Sequence, residues 1–413
     1  MRLFIFLLIS FNLNAQLSNS KIKRWVSSQD NLKNAYVSIA LKPIQKNKKI
    51  KGVNISKFMT PASNIKLLTV LASIKSGDSI NSLKYKFVSD TLHISPTGYP
   101  LLDHPLYPDL ELTNLLRSAN TIVYHKSSEK IERYGPAWAW DDFKQSFSPE
   151  RSSFPIYGNV IMITKLENGE LRIKPNIFNI NLDSTSSQSY TRKENKNDFT
   201  INPLKIKLND TILIPYIVSD ENTIGSLKHL TMKEVISESN DIINSDNLYS
   251  KVPEKIYQSI LKKSDNLISE SLLANVGFSY TDTISVDVGI RKTLEKLDAE
   301  IQNGVNWFDG SGLSRYNMVT PKAIIYTLNE IYNYWGLKKI KNFFPNNYVI
   351  EGEERFVWGK TGTLRNNHNY SGYIITDKGK SYFFTIMINH FTKDLSEIKS
   401  VISDFLKYLK SNA

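Results

Sequence analysis

FMTPASNIKLLTVLASIKSG, residues 58–77, decides the fold. Pro61 marks an extended approach. Beyond it, Ile65, Leu68, Leu71 and Ile74 recur at helical spacing, and Gly77 supplies a stop. This pattern predicts a helix with Ser63 in its first turn and Lys66 three residues on, on the same side. A serine hydroxyl is a poor nucleophile until a neighbouring base takes its proton. A lysine one turn away does so if burial keeps it neutral. The spacing alone carries little weight, because Ser18, Ser20, Ser127, Ser259 and Ser396 also have Lys three residues later. A solvated helix face is the ordinary reading of such a pair.

Two elements downstream set Ser63 apart. One is Ser264-Asp265-Asn266, and the other is Lys360-Thr361-Gly362-Thr363, which holds the only Lys-Thr-Gly in the chain. Ser-x-x-Lys, Ser-Asp-Asn and Lys-Thr-Gly in that order are the motif trio of serine β-lactamases and penicillin-binding proteins. A second Ser-Asp-Asn, Ser245-Asp246-Asn247, lies in a polar, Asn-rich stretch cut off by Pro253. Ser264 lies instead between Ile256/Ile260 and Leu267/Leu272, a helix–turn–helix pattern suited to presenting polar side chains to a cleft.

Outward from these motifs, AYVSIALK (35–42) alternates like a half-buried strand, and the chain resumes near Ile50 after a Lys-rich turn, as in an antiparallel hairpin. Residues 84–240 carry short β-type runs such as KYKFVSDTLHI, NVIMITKL and DTILIPYIV, and read as an inserted β-rich lobe. Helical periodicity spans about 254–297. RFVWGKTGTL, YSGYIITDKGK and SYFFTIMINH then read as successive strands, the last two joined at Asp377-Lys378-Gly379. A closing amphipathic helix carries Leu395, Ile398, Ile402, Phe405 and Leu409, with Asp394 and Glu397 at its start. Packing across the sheet explains it better than a membrane surface does. The expected organisation is a leader at 1–15, a core in two parts (16–83 and 241–413) and the insert between them. The expected fold is α+β: a serine β-lactamase/transpeptidase-like core of antiparallel sheet plus helical subdomain.

The segments PASNIKLLT, LKKSDNLISESLL, WFDGSGLSRYN, GKTGTL and SGYIITDKGKSYFFTIMIN resemble the D-alanyl-D-alanine carboxypeptidase/endopeptidase family, the class C low-molecular-mass penicillin-binding proteins of the penicillin-binding protein four type. WAWDDF (138–143) looks like that family's Trp-Asp segment. LLDHPLYPDL (101–110) stands where the family has a Gly-rich Asp-Pro-Thr segment. The resemblance implies a serine-type carboxypeptidase acting on peptidoglycan stem peptides, with β-lactams as covalent inhibitors. It implies Ser63 as nucleophile, Lys66 as base and Ser264 as proton relay. Asn266 would hold the donor amide, and Lys360, Thr361 and Thr363 the terminal carboxylate. The backbone N–H groups of Ser63 and Thr363 would form an oxyanion hole, and Gly362 would belong with Lys360, Thr361 and Thr363 to the substrate-binding residues. A charged Lys360 is expected to lower the proton affinity of Lys66. DGSGLSRYN (309–317) is expected to act chiefly as a turn, and Asp265 as a local hydrogen-bonding residue.

The separation of Ser63 from Ser264 is long enough to hold an inserted lobe, and no Glu-x-x-Leu-Asn string of the kind that deacylates class A β-lactamases occurs. Both features disfavour a dedicated β-lactamase or esterase on this scaffold. The intact motifs disfavour a non-catalytic peptidoglycan-binding protein.

With 413 residues, 41% of them apolar, the chain can bury a large core. The formal charge of +12 comes from dispersed Lys, which reads as a solvated surface rather than a nucleic-acid site. MRLFIFLLISFNLNAQ has the form of a secretory leader, too short to span a bilayer. With no Cys there is neither a lipid attachment site after it nor a disulfide. A periplasmic, soluble mature protein is expected. The His and carboxylate spacings match no metal motif, and no organic cofactor is implied.

Overall fold

The computed structural model describes residues 17–45, 47–129, 131–348 and 354–413. The expected leader lies outside the described residues.

Helix α1 (Asn19–Ser27) precedes strand β1 (Tyr36–Pro43), which pairs antiparallel with β2 (Lys51–Val53), so the predicted hairpin forms. The chain then makes a single 3-10 turn, Ala62–Ile65, before α2 (Lys66–Ser76) begins. Ser63 therefore sits in the turn that feeds the α-helix rather than in the helix itself. Every residue from Lys66 to Ile74 is buried. A helix apolar nearly all round belongs at the centre of a molecule, and α2 packs there.

A five-stranded sheet follows, formed by β3 (Ser79–Val88), β4 (Thr91–Ser95), β5 (Thr121–His125), and later β12 and β13, with helix α3 (Leu110–Ser118) between β4 and β5. Six short strands come next: β6 (Val160–Lys165), β7 (Leu171–Lys174), β8 (Asn179–Leu182), β9 (Tyr190–Arg192), β10 (Asp198–Ile201) and β11 (Thr211–Pro215). They form two three-stranded sheets, β11-β6-β7 and β8-β10-β9, around a small core of their own. Helix α4 (Asp220–Thr231) leads to β12 (Glu234–Glu238) and β13 (Asp246–Lys251). Strand β13 returns to pair with β3, so the sheet is closed by residues on both sides of the 84–240 stretch.

Next comes α5 (Glu254–Gln258), continued by a π-helical turn over Ser259–Lys263, and then α6 (Asn266–Thr281), α7 (Val286–Leu294) and α8 (Ala299–Gln302). A short ladder of β14 (Val305–Asn306) and β15 (Met318–Val319) leads into α9 (Pro321–Phe343). The chain ends with β16 (Val357–Leu364), β17 (Asn367–Ile375), β18 (Ser381–Asn389) and α10 (Leu395–Asn412). The core sheet runs β16-β17-β18-β1-β2, uniting the two ends of the chain.

Strand alternation gives this sheet two dry faces. Ala40, Trp358, Tyr373, Phe383 and Met387 join the core built on α2 and α9, while Ile39, Leu41, Val357, Phe384, Ile386 and Ile388 meet α1 and α10. The terminal helix opens with the capping box read from Asp394 and Glu397 and lies on the sheet, as its periodicity required. No helix among the described residues is long and apolar enough to cross a membrane. The architecture is the expected α+β core of antiparallel sheet and helical subdomain.

Phe405 is fully buried, with its ring 4.7 Å from that of Trp25. Phe405→Ala is predicted to cost about 3–5 kcal/mol of stability through lost burial and a cavity, read as a lower urea midpoint. A change below about 1 kcal/mol would show that α10 does not anchor the sheet.

Candidate active site

Three distant segments converge on one amine. Lys66 Nζ, wholly buried, lies 3.1 Å from Ser63 Oγ, 2.6 Å from Asn266 Oδ1 and 2.5 Å from Ser311 O. An ammonium satisfies all three as a donor. A neutral amine keeps two N–H bonds for Asn266 and Ser311 and turns its lone pair toward the Ser63 hydroxyl, the arrangement a base requires. Burial lowers the Lys66 pKa to about 8, against opposing pulls from the carboxylates of Asp309, Glu270 and Asp265. This corrects the expectation that Lys360 does the lowering: the leading cause is desolvation. The like charge acts on Lys360 instead, which is held well below its ordinary value first by burial and then by Lys66.

Tight packing holds the Ser63 turn in place. Ala62 has φ 49°, a left-handed conformation uncommon for a residue with a Cβ. Two motif glycines press on it. A Cβ on Gly312 would come within 2.0 Å of Ala62 O, and one on Gly362 within 2.5 Å of Pro61 O and 2.8 Å of Asn64 N. Only glycine permits the Asp-Gly-Ser-Gly loop and β16 to approach this closely. Asn64, buried beneath, donates to Lys360 O at 3.2 Å and accepts from Ser371 Oγ, which ties the turn to β16 and β17.

Ser264 has φ 59° at the end of the π-helical turn, and Asp265 caps α6 by accepting from Ile268 N at 2.9 Å. Asp265 also stands 3.5 Å from His104 of the 101–110 segment. Its local hydrogen-bonding role is as expected. The geometry places Ser264 Oγ 2.9 Å from Lys360 Nζ, which also donates to Thr361 O at 2.8 Å. Asp246 and Asn247 of the second Ser-Asp-Asn are exposed in β13, where Asn247 accepts from Asn81 Nδ2 rather than meeting Lys66. Thr361 is half-buried and Thr363 exposed. Thr363 Oγ1 lies 2.7 Å from His368 Nδ1, whose other ring nitrogen is 2.7 Å from Tyr348 OH. Burial lowers His368 to about 4, so its ring is neutral at ordinary pH.

Asn266 sits differently from its expected task. Its Oδ1 is taken by Lys66 and its Nδ2 donates to Phe147 O of the inserted region at 2.6 Å. Its amide thus ties Lys66 to the Phe147 backbone.

Several contributors escaped the motif reading. Ser311 supplies a carbonyl to Lys66, so the 309–317 loop does more than turn. Asp309, fully buried, accepts from Gly312 N (2.8 Å), Ser314 N (2.6 Å), Asn317 Nδ2 (2.7 Å) and Trp138 Nε1 (2.9 Å). Trp138 belongs to WAWDDF, so that quoted segment was a usable signal for a tie between insert and core. Glu270, one turn along α6 from Asn266, accepts from Ser311 N at 2.8 Å. Among the described residues no group of three or more His, Asp or Glu is arranged to hold a metal ion.

A Ser-x-x-Lys turn, a Ser-Asp-Asn turn and a Lys-Thr-Gly edge strand around one buried amine are the motif set found in serine β-lactamases and penicillin-binding proteins. Within it, residues 247–409 match the family model described as D-Ala-D-Ala carboxypeptidase 3 (S13) family, a stretch that holds the second and third motifs but not Ser63. Two curated proteins are similar in part. The D-alanyl-D-alanine carboxypeptidase DacB of Haemophilus influenzae is 30% identical over 166 residues, covering 37% of this chain and 34% of the relative. The penicillin-sensitive carboxypeptidase A of Dictyostelium discoideum is 22% identical over 165 residues, covering 35% of this chain and 32% of the relative. The matched stretch thus spans about a third of the length of these relatives. The crystal structure of penicillin binding protein 4 (dacB) from Haemophilus influenzae has the same fold, with a TM-score of 0.70 at 19% identity over 96% of this chain and 100% of that one.

The lowered Lys66 pKa has a thermodynamic signature. The folded state releases this proton more readily than the unfolded chain, so stability is full above about 10.5 and is lost as pH falls through about 8. The stability of Lys66→Met relative to wild type should therefore rise as pH drops from about 10.5 to 8, by up to about 3 kcal/mol, then level off. A pH-independent difference in urea denaturation would show that Lys66 is not so perturbed.

Proposed function

We propose that the chain is a serine D-Ala-D-Ala carboxypeptidase that also cleaves D-alanyl cross-links, working on peptidoglycan stem peptides through an acyl-Ser63 intermediate. The observation that carries this reading is the Lys66 amine, 3.1 Å from Ser63 Oγ and wholly buried. The family match over residues 247–409 and the partial likeness to DacB support the substrate class.

Neutral Lys66 takes the Ser63 proton as Oγ bonds to the carbonyl carbon of the penultimate D-alanine. The backbone N–H groups of Ser63 and Thr363 stabilise the resulting oxyanion, a contribution of roughly 3–4 kcal/mol per donor in serine acyl enzymes. As the C–N bond breaks, the proton on Lys66 passes through Ser264 to the leaving amine and terminal D-alanine departs. Water then attacks the acyl-serine with Lys66 again as base, and Ser63 recovers its proton. Lys360 is buried and has no carboxylate among its hydrogen-bond partners in the described residues, so a terminal substrate carboxylate, with Thr361 and Thr363, would supply its countercharge. β-Lactams would acylate Ser63 by the same first step. In this reading residues 1–15 direct export to the periplasm, where the substrate resides.

Two variants test this proposal. Intact mass after exposure to benzylpenicillin should increase by one penicillin in wild type and stay unchanged in Ser63→Ala, and D-alanine release from a stem pentapeptide should vanish with it. An equal adduct in both proteins would rule out Ser63. Ser264→Ala should slow D-alanine release on the order of 10²-fold or more while leaving the fold intact, as loss of a proton-transfer group does. Unchanged release would remove Ser264 from the relay.

A further inference from the structure

Behind the active site lies a cavity of about 400 Å³, lined by Tyr134, Arg151, Ser271, Ala274 and Val286, with Glu270 in its wall. Glu270 is fully buried and makes an unequal pair of contacts. Its Oε1 accepts from Ser311 N at 2.8 Å, whereas Oε2 has no hydrogen-bond partner among the described residues, and Arg151 Nη1 stands 3.6 Å from it. The buried carboxylate of Asp309, with its four good N–H donors, is by contrast fully satisfied. A buried carboxylate with backbone contacts from Ser311 and Gly310, one oxygen without a hydrogen-bond partner among the described residues and its cation 3.6 Å away is poorly compensated as an anion.

Its position gives that a consequence. Helix α6 offers Lys66 two supports one turn apart: Asn266 directly, through Oδ1, and Glu270 indirectly, by holding the Ser311 whose carbonyl accepts from Lys66 Nζ. We propose that Glu270 is a positioning residue for the reaction, holding the Ser311 carbonyl on Lys66 and, through its own charge, setting the pH at which Lys66 becomes a free base. The inference rests on the reading of Lys66 as the base for Ser63. Burial first, then Asp309, raises Glu270 to about 7, against Arg151 and the Ser311 and Gly310 contacts. Its charge thus changes within the working range, and the cavity gives its proton a route. The charged groups facing it are Lys66 on α2, Asp309 in the loop, Arg151 from the insert, and Glu132 and Asp287 on the cavity wall. An ionised Glu270 holds the proton on Lys66, so removing that charge must lower the Lys66 midpoint.

The test is the pH profile of benzylpenicillin acylation between pH 5.5 and 9.5, with thermal melting to verify the fold. Glu270→Gln keeps an acceptor for Ser311 N–H and loses only the charge. Its profile should move to lower pH by about half a unit, with the gain over wild type, each relative to its own plateau, largest between about pH 7 and 8, where wild-type Glu270 is ionised and Lys66 is still titrating. Glu270→Met, neutral but without the acceptor, should show the same shift and a lower plateau. Profiles that scale down without moving would overturn the proposal, since a purely structural residue changes the rate and leaves the midpoint in place. Normal acylation without D-alanine release would count against the carboxypeptidase reading and leave this inference standing. Should wild type acylate at no pH, the cycle of Glu270→Gln with Lys66→Met in urea denaturation at pH 8 decides it: additive effects would refute the coupling.

Discussion

The structure depends on keeping one amine dry and held from three sides. Lys66 is buried on α2 and bonded to Ser63, Asn266 and Ser311, residues that lie in three well-separated segments of the chain. Desolvation weakens the amine's hold on its proton, so that near pH 8 it is in part the neutral form that can accept one. The three contacts fix where its lone pair and N–H bonds point. Much of the surrounding architecture follows from that requirement. Gly312 and Gly362 let two backbones approach the Ser63 turn, Asp309 gathers the loop that carries Ser311, and the sheet of β16 to β18 with β1 sets the wall from which Lys360 reaches in.

The inserted region takes part in the site. Trp138 Nε1 bonds to Asp309, Phe147 O receives Asn266 Nδ2, Arg151 stands beside Glu270, and His104 faces Asp265. Each contact joins the insert to a residue one step from Lys66 or from the Ser264 turn. Residues 104–151 are thus tied directly to the surroundings of Lys66 and Ser264.

The parts of the site legible in the sequence were those with fixed local spacing. Ser63 with Lys66, Ser264 with Asn266, and Lys360 with Thr363 each form a short string, and strand alternation and helical periodicity around them specified the core sheet, α6 and α10. What the strings could not convey was partnership across the chain. Asn266 could be seen as a polar group facing a cleft, but its commitment to Lys66 and Phe147 depends on contacts about 200 and 119 residues away. Ser311 was read as a turn residue and Glu270 drew no reading at all, because their importance comes from burial against one another. The part expected of Lys360 in the Lys66 shift fell away for the same reason: a neighbouring cation can be guessed from motifs, whereas the depth of burial, which dominates, is a property of the folded whole. Strand β13 pairs with β3 across some 166 residues, beyond the reach of local pattern.

The most direct test of the central claim, that the dry Lys66 amine activates Ser63 for acyl transfer, is to locate the acyl group chemically. After brief exposure to benzylpenicillin, acid quench and tryptic digestion, tandem mass spectrometry should find the penicilloyl group on Phe58–Lys66 and assign it to Ser63, with no such label in a Lys66→Met sample treated identically. Label on the peptide bearing Ser264, or label at Ser63 undiminished when Lys66 is replaced, would contradict the account.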